Sequence, residues 1–203
     1  MSNFLIEKPK CVFIHIPKTG GGSIRHGFFN NRYRGPLFGR IDEKWKQYFS
    51  FAFTRHPYDR LVSAWLMFTE GMATRNGGRM KAPEDARGLS LREFLEIVVD
   101  GSIGYDYKVR RRPAKIRIRH HTIPQTHPYN CLDEADFVGR FENLQEDFDE
   151  VVRTLGLESR KLPYFHTTSR DSHYMDYYCD ETLQIARDYY REDFDKLGYD
   201  DAR

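Results

Sequence analysis

Residues that bind anions crowd together between positions 17 and 23, in the order Pro17, Lys18, Thr19, Gly20, Gly21, Gly22 and Ser23. Glycine adopts backbone conformations closed to other residues and has no Cβ, so successive N–H groups can converge on one point. Converging N–H groups at the start of a helix hold anions. Lys18 adds a mobile cation, and Thr19 and Ser23 add hydroxyls, so the chemistry expected is binding of a phosphate or a sulfate ester. The order is not that of a Walker loop, G-x-x-x-x-G-K-[ST], because the lysine here precedes the glycines. A second anion-binding pair, Arg55 and Ser63, follows downstream.

These residues need elements to carry them. The apolar run Cys11 to Ile16 predicts a buried strand before the loop, and a helix opens near Ser23 with Ile24 and Phe28 on its buried face. Tyr48 to Phe53, YFSFAF, predicts a second strand, followed by the turn Thr54-Arg55-His56-Pro57 and a helix from Tyr58 to about Phe68. Pro57 suits a first helical position, where its missing N–H costs nothing. Leu61, Val62, Trp65 and Phe68 recur at helical spacing and should face the core. Arg55 then falls at the strand's carboxyl end and Ser63 on the helix's second turn. Two strand-loop-helix units that both end in anion-binding residues imply a ligand with two separated anionic groups.

The stretch FIHIPKTGGGSI resembles the 5′-phosphosulfate loop of the sulfotransferases that use 3′-phosphoadenosine 5′-phosphosulfate (PAPS). RHPYDRLVSAW resembles their 3′-phosphate motif, in which an arginine is followed eight positions later by a serine, as Arg55 is by Ser63. DFVGRFENLQEDF (Asp136 to Phe148) and YYREDFDKLGY (Tyr189 to Tyr199) resemble the carbohydrate branch of that family. The four segments keep the family's order and run from Phe13 to Tyr199. The resemblance implies an α/β, P-loop NTPase-like three-layer fold with a mostly parallel central sheet flanked by helices, forming one sulfotransferase domain over residues 1–203. It also implies transfer of a sulfonyl group from PAPS to a hydroxyl of a carbohydrate or related glycoconjugate, with adenosine 3′,5′-bisphosphate as product and no metal.

Within that resemblance, Pro17 to Ser23 hold the 5′ end of the donor and Lys18 stabilises the bridging oxygen and the leaving phosphate. Arg55 and Ser63 take the 3′-phosphate, a task suited to arginine's planar, bidentate donors. Arg170, in HTTSRDSHY, reaches the nucleotide. A base must also remove the acceptor's proton. Family members place a histidine or an acid between the first helix and the second strand, but no histidine stands between Asn30 and Phe53. The acids there are Asp42 and Glu43, either of which would need desolvation to raise its pKa. His121 is the third candidate and ranks first. His121-Thr122-Ile123-Pro124-Gln125 resembles the histidine and proline segment that precedes the DFVG strand, and an imidazole's ordinary pKa suits proton abstraction near neutrality.

The remaining chain sets bounds. At 203 residues, 39% hydrophobic and 15% aromatic, it is long and apolar enough to fold as one ordinary domain. The net charge of +2 hides a basic run, Lys108 to Arg119, with seven of the 32 basic residues and no acid. A solvated loop or edge strand is the ordinary explanation for such a run. The alternative is attraction of an anionic saccharide acceptor, with Arg111, Arg117 and Arg119 as contacts. Nucleic acid is not an expected partner, because the run is short and lacks interleaved aromatics. Three cysteines without metal-ligand spacing point to a reducing cytosol. The N-terminus lacks a long apolar run, so neither a signal peptide nor stable membrane insertion is expected, although Golgi relatives carry an anchor.

Elsewhere, residues 2–10 read as a tail, Asn30 to Phe38 as a loop, Asp42 to Gln47 as a short helical piece, and Gly71 to Gly88 as a mobile excursion. Ser90 and Glu93 form a capping box ahead of a helix from Leu91 to about Val99. A strand is expected at Asp136 to Phe141, a helix from Leu144 that stops at Gly156, and a last helix capped by Asp180 with Leu183, Ala186 and Tyr190 inward. Two other functions compete. A small-molecule kinase or other NTPase needs an acid at a strand end to hold Mg²⁺, where this chain has Thr54-Arg55. A non-catalytic polyanion- or glycan-binding protein would use the basic run alone.

Overall fold

The computed structural model describes residues 2–30, 32–74, 78–105, 113–163 and 172–201. In chain order the elements are β1 (Ser2–Ile6), β2 (Cys11–His15), β3 (Arg34–Phe38), β4 (Phe49–Thr54), α1 (Pro57–Thr69), β5 (Met72–Ala73), β6 (Arg79–Met80), α2 (Leu91–Val99), α3 (Ala114–Thr122), β7 (Phe137–Arg140), α4 (Leu144–Thr154), α5 (Asp180–Tyr189) and α6 (Arg191–Leu197). They fall into two units, Met1–Arg55 with Gln125–Phe165, and His56–Pro124 with His166–Arg203.

The first unit is built on a five-stranded sheet in the order β3-β1-β2-β4-β7. Strands β2, β4 and β7 are parallel, but β1 runs antiparallel to both β2 and β3. The sheet is therefore mixed, not mostly parallel as expected. Two misread segments account for the difference. The supposed tail carries the apolar Phe4, Leu5 and Ile6, which become buried when β1 folds back on β2 with Ile6 opposite Cys11. The supposed loop supplies β3, whose Gly35 and Pro36 are tolerated because β3 is an edge strand, with one side free of ladder bonds.

Strands β2 and β4 read as continuous apolar runs because they are interior strands, and Phe13, Ile14, Phe51, Ala52 and Phe53 are all fully enclosed. Phe13 stacks on Phe51 at 5.0 Å across the parallel ladder. Phe148 of α4 meets Phe28 edge-on at 4.8 Å, so the helix after the glycine loop and α4 share one core. The helix expected near Ser23 is a π-helical turn over Ser23–Phe28, in which the Phe29 N–H reaches the Ile24 carbonyl at 3.1 Å. Helix α4 stops as expected. Gly156 turns left-handed at φ 65°, and Leu157 and Gly156 donate to the carbonyls of Val152 and Arg153.

In the second unit, Tyr58, Leu61, Val62, Leu66 and Phe68 of α1 pack with Phe94, Leu95 and Val98 of α2, Ile118 of α3, and Leu183 and Ala186 of α5. Pro57 occupies the first turn of α1, whereas His56 before it makes no side-chain cap; its Nε2 meets the Asp200 carbonyl at 2.9 Å. Ser90 and Glu93 close the capping box on α2 as the spacing predicts. The segment from Gly71 to Gly88 contains the β5–β6 hairpin and a helical turn at Glu84–Ala86; its residues 75–77 lie outside the described residues. Part of the basic run forms α3, with the Ala114 N–H donating to Asp85 at 2.8 Å; residues 108–112 of the run lie outside the described residues. The cap of α5 is Cys179, not Asp180, which is the first helical residue. No helix among the described residues is long and apolar enough to cross a membrane.

Two cysteines differ sharply in their surroundings. Burial inside β2 pushes the Cys11 thiol up to about 12, while hydrogen bonds from Thr182 hold the exposed Cys179 thiol below its ordinary value. Since the thiolate is the reactive form, a chromogenic disulfide reagent at pH 8 should label Cys179 in the folded protein and Cys11 only after unfolding. Peptide mapping of a folded sample that finds the adduct on Cys11 would contradict the placement of β2.

Candidate functional site

Parallel pairing of β2 with β4, from Cys11 opposite Phe49 to Ile14 opposite Ala52, makes both strands end at the same edge of the sheet. The glycine loop and Arg55 are therefore neighbours. Arg55 is buried, and its Nη1 donates to the Lys18 carbonyl at 3.0 Å while its guanidinium lies over the Phe141 ring at 4.0 Å. Its backbone is held as well. The Arg55 N–H donates to Gln125 Oε1 at 2.9 Å, and Gln125 Nε2 donates back to the Arg55 carbonyl at 2.8 Å.

Lys18 is left-handed at φ 72°, a conformation that costs a residue with a Cβ about 1–2 kcal/mol. The bond from Arg55 fixes the carbonyl of that same residue. Thr19 donates its hydroxyl proton to the Ile16 carbonyl at 2.8 Å, closing the turn instead of presenting that proton to a ligand. The glycines have separate reasons to be glycine. Gly20 has φ 84°, and a Cβ there would stand 2.6 Å from Leu144 Cδ2; a Cβ on Gly21 would stand 2.2 Å from the His15 ring. The Ile24 N–H bonds back to the Gly20 carbonyl at 3.3 Å, so the N–H groups of Gly21, Gly22 and Ser23 belong to the open first turn. The arrangement offers backbone donors, a lysine and a guanidinium to an anion.

The other expected residues lie in varied settings. Ser63 is buried on the second turn of α1, in the second unit. Arg111 and Arg170 lie outside the described residues. Asp42 precedes the turn Glu43–Trp45 with Arg40 Nε at 3.6 Å, and Glu43, its side chain 87% exposed, pairs with Lys46 at 2.8 Å. Neither carboxylate has the apolar enclosure that a base role asks of it. His121 sits in the last turn of α3 with Nδ1 2.7 Å from the Arg117 carbonyl and its ring edge-on to Phe68. A carbonyl only accepts, so Nδ1 carries the proton and Nε2 is the basic nitrogen of the neutral ring.

Arg117 extends over the Phe68 ring at 5.5 Å. Arg119, expected at the acceptor, is instead buried: it donates to the carbonyls of Val98 and Ile103 and to the Tyr189 hydroxyl. Its charge is engaged in tying α3 to its neighbours, which is the usual condition for enclosing a guanidinium. Arg60 does similar work, holding the carbonyls of Ile123 at 2.7 Å and His121 at 3.2 Å. Sequence reasoning missed Gln125, Phe141, Leu144 and Arg60. Phe141 and Leu144 lie inside DFVGRFENLQEDF and Gln125 ends His121-Thr122-Ile123-Pro124-Gln125, so the segments carry the family signal but not the contacts.

The Gly21 geometry yields a test. Gly21→Ala should lower stability by about 1–3 kcal/mol, the usual cost of overpacking, and weaken anion binding at the loop. Urea unfolding and nucleotide titration measure the two effects, and unchanged values for both would contradict the His15 contact.

Residues 28–200 match the model of a family described as the Sulfotransferase family. Carbohydrate sulfotransferase 9 of Homo sapiens is 28% identical over 226 residues, covering 93% of this chain and 47% of the human protein. Carbohydrate sulfotransferase 11 is 27% identical over 152 residues in Danio rerio and 26% over 156 residues in Rattus norvegicus, covering 66% and 69% of this chain and 41% of each relative. The chain thus spans under half the length of these curated relatives. No solved structure matches it significantly. With the family match running from Phe28 through the last helix, this chain belongs to the sulfotransferase family.

Proposed function

We propose that the chain is a PAPS-dependent sulfotransferase with a P-loop-like fold, one catalytic domain over residues 1–203, acting on a hydroxyl of a carbohydrate or related glycoconjugate. The observation that carries this proposal is the bond from Arg55 to the Lys18 carbonyl, which joins two separate anion-binding motifs at one sheet edge. A donor with anionic groups at both ends fits such a pair; a ligand with one anionic group needs only one of them. The names of the curated relatives support a saccharide acceptor.

PAPS supplies an activated sulfonyl group. Gly20 to Ser23 would hold its 5′ end through backbone N–H groups, and Thr19 would keep the turn closed. Lys18 would neutralise charge that develops on the bridging oxygen and 5′-phosphate as the acceptor oxygen attacks sulfur and the S–O bond to that phosphate breaks. Positioning and electrostatic stabilisation of this kind carry most of the rate in comparable group transfers. Arg55 takes the 3′-phosphate, with Ser63 and Arg170 assigned there by resemblance. His121, through Nε2, is the first choice to accept the hydroxyl proton, ahead of Asp42 and Glu43. Arg117 and Arg111 are left to attract an anionic acceptor, since Arg119 is engaged internally.

Adenosine 3′,5′-bisphosphate should raise the melting temperature, because binding to the folded state stabilises it by mass action; ATP with Mg²⁺ should do so much less. The reverse order would favour a kinase or NTPase. Lys18→Ala should abolish sulfonyl transfer from labelled PAPS while leaving the melting curve near that of the parent, and full retained turnover would remove the loop from the mechanism. Arg55→Ala should lower affinity for adenosine 3′,5′-bisphosphate by about tenfold or more, the scale of a charged hydrogen bond, and affinity for adenosine 5′-phosphate less. An equal loss for both nucleotides would exclude a 3′-phosphate contact.

A further inference from the structure

Arg55 lies one residue beyond the last residue of β4, where the parallel ladder no longer supplies backbone partners. We infer that Gln125 is the positioning residue that holds Arg55 in register for the 3′-phosphate, its side-chain amide standing in for the missing strand. The inference rests on the proposed PAPS reading and adds to it a residue that touches neither nucleotide nor acceptor.

Four observations carry it. Gln125 is fully buried, so its amide must be satisfied by protein groups. Both ends of that amide bind the same residue, Oε1 accepting from the Arg55 N–H and Nε2 donating to the Arg55 carbonyl, which is the two-bond pattern of paired strands. Gln125 is itself anchored, because the side chain of the buried Asn130 donates to its carbonyl at 3.0 Å. Finally, Arg55 passes its position on, through Nη1 to the Lys18 carbonyl. With Arg55 pinned at both backbone groups, only its side-chain torsions remain to be fixed, and the Phe141 ring and the Lys18 carbonyl fix the guanidinium end. A glutamine suits this place, since a glutamate lacks the donor for the Arg55 carbonyl and a leucine lacks both partners.

The test compares affinities for adenosine 3′,5′-bisphosphate and adenosine 5′-phosphate by calorimetric titration in the parent, Gln125→Leu, Gln125→Glu and Ser50→Ala. Ser50 lies near the amino end of the same strand, where its hydroxyl binds the Glu134 carbonyl and the Asp136 carboxylate, so its loss loosens β4 far from Arg55. The ratio of the two affinities isolates the 3′-phosphate, and a merely structural role does not move it. The expected result is a fall of about tenfold in that ratio for both Gln125 variants, little change in binding of the 5′-phosphate, and a parental ratio in Ser50→Ala. A parental ratio in either folded Gln125 variant overturns the inference, as does an equal fall in Ser50→Ala. Failure of both Gln125 variants to fold also overturns it, by making Gln125 a residue of the fold alone. A parental protein that does not distinguish the two nucleotides overturns the PAPS reading itself, a separate outcome.

Discussion

A guanidinium taken out of water must be met by acceptors and by apolar or aromatic surface on its remaining faces, and the first unit is arranged around satisfying Arg55 in this way. The Lys18 carbonyl meets one nitrogen, the Phe141 ring covers a face, and the Gln125 amide holds the backbone behind it. Each partner comes from a different part of the chain: the glycine loop, the segment after β7, and the start of the second stretch of the unit. Parallel pairing of β2 with β4 is the condition for all of it, because only strands that run the same way deliver their following loops to one edge. The left-handed backbone of Lys18 follows from the same constraint. Its strain is tolerable where a charged donor holds its carbonyl.

What the sequence disclosed was local. A six-residue apolar run, a proline at a first helical position, a Ser-x-x-Glu box and a glycine after an amphipathic repeat each announce an element through interactions within a few residues, and β2, α1, α2 and α4 appear where those signals put them. The strands that were missed are set by partners far away. β1 exists because its apolar residues find β2, and β3 because β1 leaves an edge to fill; neither fact is written in residues 2–6 or 34–38 taken alone.

The candidate site divides along the same line. Lys18, the glycines and Arg55 were legible because anion binding has a composition, and their proximity was expected from a resemblance. The part played by Gln125 was not legible. It ends the segment that drew attention to His121, and its own meaning comes from a pairing across 70 residues of sequence. Arginine was the most misleading residue type, since sequence shows its charge and not its burial. Arg119 looked like an acceptor contact, yet it is enclosed and, like Arg60, holds carbonyls inside the second unit. Counting basic residues in a run therefore overstates the field available to an anionic partner.

The discontinuity of the first unit bears on how the chain is made. Met1–Arg55 leaves the ribosome with the glycine loop and Arg55 already present, but the residues that hold them, Gln125, Phe141 and Leu144, follow only after His56–Pro124 has been synthesised. Closing contacts over so long a separation is slow. Until α4 is made, β2 and β4 lack the cover that Phe148, Val151 and Val152 supply, and a fragment ending before Gln125 would hold the motif residues without the frame that aims them.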